Sequence, residues 1–163
     1  MAIRNIVTIG DDVLRKRARE VDRVDEKIRA LIEDMKETLS DSENGIGLAA
    51  PQVGMLKRIF VIDMQDGQGS TVYINPEIID RSGAQVGREG CLSVPGEWGE
   101  VERPASITVK AMDEDGEWFV QQADGLLATC VCHENDHLNG ILFIDHVKGD
   151  LLEADDIRNE SER

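Results

Sequence analysis

The segment His133-Glu134-Asn135-Asp136-His137 constrains this chain more than any other, because it has the form H-E-x-x-H. On an α-helix, residues four positions apart lie on one face, so the two imidazoles can bind the same metal ion. Glu134 lies about 100° round the helix, where it can reach a water molecule held by the metal. The segment therefore predicts a helix with a hydrolytic metal site. A solvated turn of helix with two ordinary histidines is the plain alternative.

A catalytic site of this kind needs a third protein ligand. The common metalloprotease pattern places a third His six residues after His137, but that position holds Phe143. Glu153 is the nearest downstream Glu, in a polar tail. Cys130 is separated from His137 by about 10.5 Å of helical rise, which is too far for one ion. Cys91 lies in a Gly-containing turn and can approach from another element. The sequence therefore favours a metal site with Cys, His and His ligands. A small metal-dependent protease or amidase remains an alternative function for such a site.

The overall composition excludes several classes of protein. At 163 residues the chain is predicted to be one catalytic domain over residues 1–163, with a short acidic tail over residues 149–163. Its net charge of −15 disfavours direct binding of DNA. No apolar run reaches the roughly 18 residues of a membrane span. The N-terminus lacks a signal-peptide pattern and the cysteines number three, so we expect a cytoplasmic chain without a disulfide framework.

Local patterns predict two main helices and a set of strands. Apolar residues at helical spacing predict an amphipathic helix over residues 25–40. The H-E-x-x-H helix is expected to begin near Ala123 and to end at Asn139-Gly140. Strands are predicted over residues 58–64, 71–79, 106–111, 117–122 and, briefly, 141–144, with pairing disturbed at Pro76. Residues 44–52 and 89–96 contain many turn formers, and the tail is expected to be a short helix or a frayed end.

Three stretches together carry a family resemblance: Gly45-Ile46-Gly47-Leu48-Ala49-Ala50-Pro51-Gln52, Glu89-Gly90-Cys91-Leu92-Ser93 and His133-Glu134-Asn135-Asp136-His137-Leu138. In residues, order and spacing they resemble the motifs of the peptide deformylases, from about Val7 to about His146. The resemblance implies an α+β fold with antiparallel strands packed around a central helix that carries the H-E-x-x-H motif. It also implies a hydrolase that removes the N-formyl group from the N-terminal methionine of new polypeptides and releases formate.

The resemblance implies a ligand set as well. One divalent metal ion, Fe(II) in the cell with nickel, cobalt or zinc as substitutes, would be held by Cys91, His133 and His137. Glu134 would act on metal-bound water as general base and then as general acid. Glu89 and Asp136 would orient the ligands and loops.

Further residues would bind the substrate, again by resemblance. The side-chain amide of Gln52 and the backbone N–H of Leu92 would stabilise the oxyanion. Ile46 and Gly47 would lie along the peptide backbone as a strand partner. The methionine side chain would enter a pocket formed by Gly90, Leu126, Thr129, Cys130 and His133.

Two features depart from the family pattern. Cys132 stands where the residue before the first His is usually Gln, which puts an oxidisable thiol near the site. The C-terminal segment is acidic, whereas bacterial members can dock on the ribosome through a basic C-terminal helix, so ribosome contact is disfavoured here. We expect a monomer that acts on N-formyl-methionyl nascent peptides and contacts no membrane. An inactive relative that only binds an N-terminal methionine is the non-enzyme alternative, and intact Glu134 and Gln52 count against it.

Overall fold

The structure is a computed structural model that describes residues 2–42, 45–147, 149 and 152–153. Within these ranges the chain forms two α-helices and eight β-strands, and the predicted α+β class is confirmed. The helices are α1 (Glu26–Asp41) and α2 (Gly125–Leu138), and the strands are β1 (Gly47–Ala49), β2 (Ile59–Asp63), β3 (Ser70–Ser82), β4 (Gln85–Cys91), β5 (Val94–Arg103), β6 (Ser106–Met112), β7 (Trp118–Asp124) and β8 (Leu152–Glu153).

The strands form two antiparallel sheets. A five-stranded sheet has the order β1-β2-β3-β6-β7, and a three-stranded sheet has the order β4-β5-β8. The four longer strands predicted from the sequence are confirmed as β2, β3, β6 and β7. The register of β3 against β6 shifts between Ile74 and Glu77, on either side of Pro76, because proline cannot donate a ladder hydrogen bond.

Helix α1 forms because its apolar residues recur at helical spacing and Asp25 caps its first turn. The Asp25 side chain accepts a hydrogen bond from the Ile28 N–H at 3.0 Å, which satisfies one of the unpaired donors at the helix start. Leu31, Ile32 and Met35 are buried in one apolar cluster with residues of β1, β2 and β3. Helix α1 therefore covers one face of the five-stranded sheet, and its predicted position is confirmed.

Helix α2 packs on the opposite face of the same sheet. Successive side chains of β2 point to opposite faces, so Ile59 and Val61 join the cluster of α1. Phe60 and Ile62 join the cluster that contains Val131 of α2. Because α2 is packed into the core, the motif residues His133, Glu134 and His137 are buried.

Specific contacts hold the C-terminal end of α2. The Leu138 carbonyl accepts hydrogen bonds from the Ala18 N–H at 2.8 Å and the Arg58 guanidinium at 3.0 Å. Gly140 follows with φ +75°, and a Cβ there would lie 2.5 Å from the Arg15 carbonyl oxygen. Only glycine fits this turn, and the predicted helix end is confirmed.

One predicted strand is wrong. Residues 141–144 form no strand, because Phe143–Asp145 is a 3₁₀ turn in which the Leu142 N–H donates to the Asp145 carboxylate at 3.1 Å. The turn formers of residues 89–96 belong to the β4–β5 hairpin, and those of residues 44–52 include β1 and part of a 3₁₀ turn, Ala50–Val53.

The predicted acidic tail lies outside the described residues apart from Gly149 and residues 152–153. The backbone of residues 152–153 forms strand β8, not a helix. This strand pairs with β5. No helix in the described part of the chain combines the length and apolar character needed to span a membrane.

Candidate metal centre and its cavity

A cavity of about 350 Å³ lies between the segment around β1, the β4–β5 hairpin and α2. The sequence predicted twelve metal, catalytic and substrate-binding residues, and all but His137 line it. The lining residues among them are Ile46, Gly47, Gln52, Gly90, Cys91, Leu92, Leu126, Thr129, Cys130, His133 and Glu134. The fold thus brings three separate stretches of the sequence to one site.

The donor atoms of Cys91, His133 and His137 form one compact group. All three lie within 4.8 Å of one another, and Cys91 Sγ is 3.3 Å from His137 Nε2. A tetrahedral ion with bonds of about 2.0–2.3 Å needs donor atoms roughly 3.5 Å apart. The sulfur and imidazole donors therefore fit a divalent metal ion with small adjustments.

The charges around these donors favour one added positive charge. Burial and the neighbouring His133 hold the pKa of His137 well below its usual range, so this imidazole is neutral, the form that binds metal. Burial also acts to lower the pKa of His133, but its hydrogen bond with Cys91 and the nearby Glu134 and Glu89 carboxylates raise it well above its usual range. The negative charge of the Glu134 and Glu89 carboxylates can be balanced either by a proton on His133 or by a bound metal cation.

Glu134 lies in the cavity wall and is shielded from solvent. The residue is 4% exposed, and its Oε1 has no hydrogen-bond partner among the described residues. Burial raises the pKa of this carboxyl group to about 7. A carboxylate with a pKa near neutrality can both accept a proton and return it, so the side chain suits a general base.

Gln52 is oriented by hydrogen bonds at both ends of its amide. The Ala49 N–H donates to Gln52 Oε1 at 2.9 Å, and Gln52 Nε2 donates to Ser93 Oγ at 3.0 Å. Nε2 also lies 3.5 Å from Cys91 Sγ, so this donor faces the metal ligands. The Leu92 N–H, in the β4–β5 turn, has no backbone acceptor within the described ranges. The two donors can therefore serve a developing oxyanion.

Gly47 allows β1 to pass close to Glu134. A Cβ added at Gly47 would lie 2.5 Å from Glu134 Oε2 and 2.9 Å from its Cδ, which is too close for packed atoms. We expect Gly47→Ala to displace the carboxylate and to lower hydrolytic turnover at least about tenfold, because a misplacement near 1 Å can cost roughly 10²-fold. Steady-state assays with metal content measured on the same sample test this.

Gly87→Ala is the matched control. Gly87 also lies in a strand, β4, and a Cβ there meets nothing within 4 Å. This variant should keep wild-type turnover. If Gly47→Ala and Gly87→Ala were equally active, the close approach of β1 to Glu134 would have no catalytic importance.

Behind the ligands, buried ion pairs join three elements. Arg103 on β5 donates to Glu89 on β4 at 2.8 and 2.9 Å and to Asp136 on α2 at 2.7 Å. Glu89 Oε1 lies 2.8 Å from His133 Nδ1. Burial acts to raise the pKa of Glu89, but hydrogen bonds with Arg103 and His133 outweigh it and lower this pKa to about 2. Glu89 therefore stays ionised and can orient the His133 ring.

The sequence reasoning missed Arg103 and Ser93. Arg103 follows Val101 on the inward side of β5, where buried and exposed residues alternate. A charged residue at an inward strand position signals a buried partner, so Arg103 becomes a candidate only once residues 94–103 are recognised as a strand. Ser93 gives no such signal, because its bond to Gln52 joins two segments that are distant in sequence.

Other residues singled out in the sequence lie near the ligand set. Phe143, where the metalloprotease pattern needs His, is buried with its ring centroid 6.1 Å from that of His133. Cys132 is buried in the core beside Val131, and burial raises its thiol pKa. Burial also raises the pKa of Cys130 to about 12, so this thiol stays protonated at neutral pH.

Comparison with known proteins gives a consistent result over most of the chain. The polypeptide deformylase family model matches residues 3–151. Peptide deformylase 1 of Clostridium perfringens (strain 13 / Type A) is 54% identical over 146 residues, which cover 90% of this chain and 99% of that relative. The range matched by the family model, residues 3–151, includes the whole cavity and all three metal-ligand candidates.

Solved structures agree with the sequence relatives. The crystal structure of a peptide deformylase from Thermotoga maritima superposes with a TM-score of 0.87 at 43% identity and covers 91% of this chain and 100% of that one. A peptide deformylase from Synechococcus elongatus in complex with actinonin has a TM-score of 0.84 at 45% identity, covering 88% and 78%. This chain therefore shares their fold.

Proposed function

The chain belongs to the polypeptide deformylase family, and we propose that it removes the N-formyl group from the N-terminal methionine of newly synthesised polypeptides, with release of formate. The observation that carries this proposal is the convergence on one cavity of a buried carboxylate, a Cys-His-His donor set and an oriented amide donor. These are the groups that hydrolysis of a small, weakly electrophilic amide requires.

The metal would be one divalent ion held by Cys91, His133 and His137. Family resemblance and the mixed thiolate and imidazole ligands support Fe(II) as the native ion, with nickel, cobalt or zinc as substitutes. When bound, the ion would act as a Lewis acid that makes a water molecule a better nucleophile near neutral pH.

The side chains around the ion would control protons and charge. Glu134 would accept the proton that the attacking water loses and deliver it to the leaving amine nitrogen. Gln52 Nε2 and the Leu92 N–H would donate hydrogen bonds to the developing oxyanion. Because Ala49 and Ser93 already hold the Gln52 amide in place, little reorganisation is needed during the reaction.

The substrate would bind along β1 and into the cavity. Strand β1 is at the edge of the described five-stranded sheet, so Ile46 and Gly47 could pair with an extended peptide. The methionine side chain would contact Gly90, Leu126, Thr129 and Cys130 in the cavity wall. Leu126 is 56% exposed, and covering this apolar side chain would favour binding.

The remaining proposals concern the cellular setting. We propose a single catalytic domain that acts as a cytoplasmic monomer on nascent chains. The acidic C-terminal sequence supports a protein that works without docking its tail on ribosomal RNA.

Anaerobic purification followed by metal analysis and a deformylation assay on one sample would identify the native ion.

A pair of peptides tests the reaction itself. The protein is expected to release formate from a formyl-Met tripeptide and to leave the acetyl-Met tripeptide intact. The reason is size: the acetyl group carries a methyl group where the formyl group has only hydrogen, and the proposed reaction acts on the smaller group. Acetate release, or cleavage inside the peptide without formate, would favour the amidase or protease alternative.

A further inference from the structure

Arg103 connects the two elements that carry the candidate metal ligands. Cys91 ends β4, two residues after Glu89, whereas His133 and His137 lie on α2 together with Asp136. Arg103 binds Glu89 through Nε and Nη2 and Asp136 through Nη1. One guanidinium group therefore holds the hairpin and the helix together.

This arrangement is buried and uses the planar geometry of the guanidinium. Arg103 is 6% exposed, so its charge depends on these two carboxylates for compensation. A lysine could not bind both with a fixed fork of donors. Buried ion pairs often add little net stability compared with apolar packing, so stability by itself gives a weak reason for this triad.

We propose that Arg103 is a positioning residue for the metal centre: by holding Glu89 and Asp136 together, it sets the distance between Cys91 Sγ and the two imidazoles. The inference rests on the ligand set in the proposed function. It is supported by the contact of Glu89 with His133 Nδ1 at 2.8 Å, which links the triad directly to a ligand. Correctly spaced ligands bind the ion more tightly because less ordering is required on binding.

Arg103→Gln tests this role with Co(II) alone as the probe. We expect the Kd for Co(II) to weaken 10- to 100-fold, the usual effect of removing groups that orient ligands. Competition with a chelator measures the Kd, and the melting temperature of the metal-free protein is recorded separately. A Kd within about twofold of wild type together with a lower melting temperature would mean that Arg103 only supports the fold, and would overturn the proposal.

Arg4→Gln is the control for losing an arginine ion pair. Arg4 binds Asp34 at 2.9 Å, and neither residue lines the cavity. Its Co(II) Kd should equal that of wild type. If wild type bound no Co(II), the ligand set itself would fail and this proposal with it. Tight wild-type binding with an unchanged Arg103→Gln Kd refutes the role of Arg103 alone.

A double-mutant cycle decides the question if Arg103→Gln does not fold. Glu89→Gln and Asp136→Asn each weaken one side of the arginine contact. If Arg103 couples the two elements, the loss of Co(II) affinity in the double variant should be at least about threefold smaller than the product of the single losses. Losses that multiply would show two independent contacts and overturn the proposal.

Discussion

Glu134→Ala is expected to lower deformylation by at least roughly 10³-fold while the protein retains its metal ion. The carboxylate is buried, and its Oε1 has no hydrogen-bond partner among the described residues, so removing that atom breaks no hydrogen bond within the described part of the fold. Glu134 also lies outside the compact group of three donor atoms. Formate release from a formyl-Met tripeptide, with metal content measured on the same sample, tests both parts of the expectation.

Glu134→Gln and Glu77→Ala are the comparisons. The first keeps the shape of the side chain but removes the base, so it should be as inactive as Glu134→Ala. The second removes an exposed carboxylate on β3 and should leave turnover unchanged. If Glu134→Gln kept activity within tenfold of wild type, another group would have to act as the base.

Cys91→Ala should lose the metal ion and all activity, whereas Cys130→Ala should keep the metal. Cys91 Sγ lies 3.3 Å from His137 Nε2. Cys130 lines the same cavity, but burial raises its pKa to about 12, so it remains a thiol rather than the thiolate that binds metal. We expect about one metal ion per chain in Cys130→Ala and less than roughly a tenth of that in Cys91→Ala.

The cysteine pair is its own control, because both substitutions remove one sulfur from the same cavity. Metal analysis after removal of unbound ion measures the result. Cys130→Ala is expected to change only the KM for the formyl-Met peptide, since this side chain is in the proposed methionine pocket. Equal loss of metal from both variants would refute the ligand assignment.

The helices and most strands of the large sheet follow from local patterns, whereas the small sheet does not. Helix α1 repeats its apolar residues every three or four positions and has Asp25 as its cap, so both its face and its start can be read from adjacent residues. The β4–β5 hairpin is different. Apolar and polar residues rarely alternate along this hairpin, and it contains four glycines, Gly87, Gly90, Gly96 and Gly99. Its sequence therefore resembles that of a loop, and the strands are evident only from their pairing.

The candidate site divides in the same way. The sequence by itself determined which residue types are present: H-E-x-x-H, Cys91, Gln52 and the family pattern that joins them. Only the tertiary structure decided which groups meet, including the Ser93 contact that orients Gln52 and the Arg103 contacts between β5, β4 and α2. Helical spacing depends on neighbouring residues, whereas the separation of Cys91 from His137 depends on how a hairpin and a helix pack, which involves the whole core.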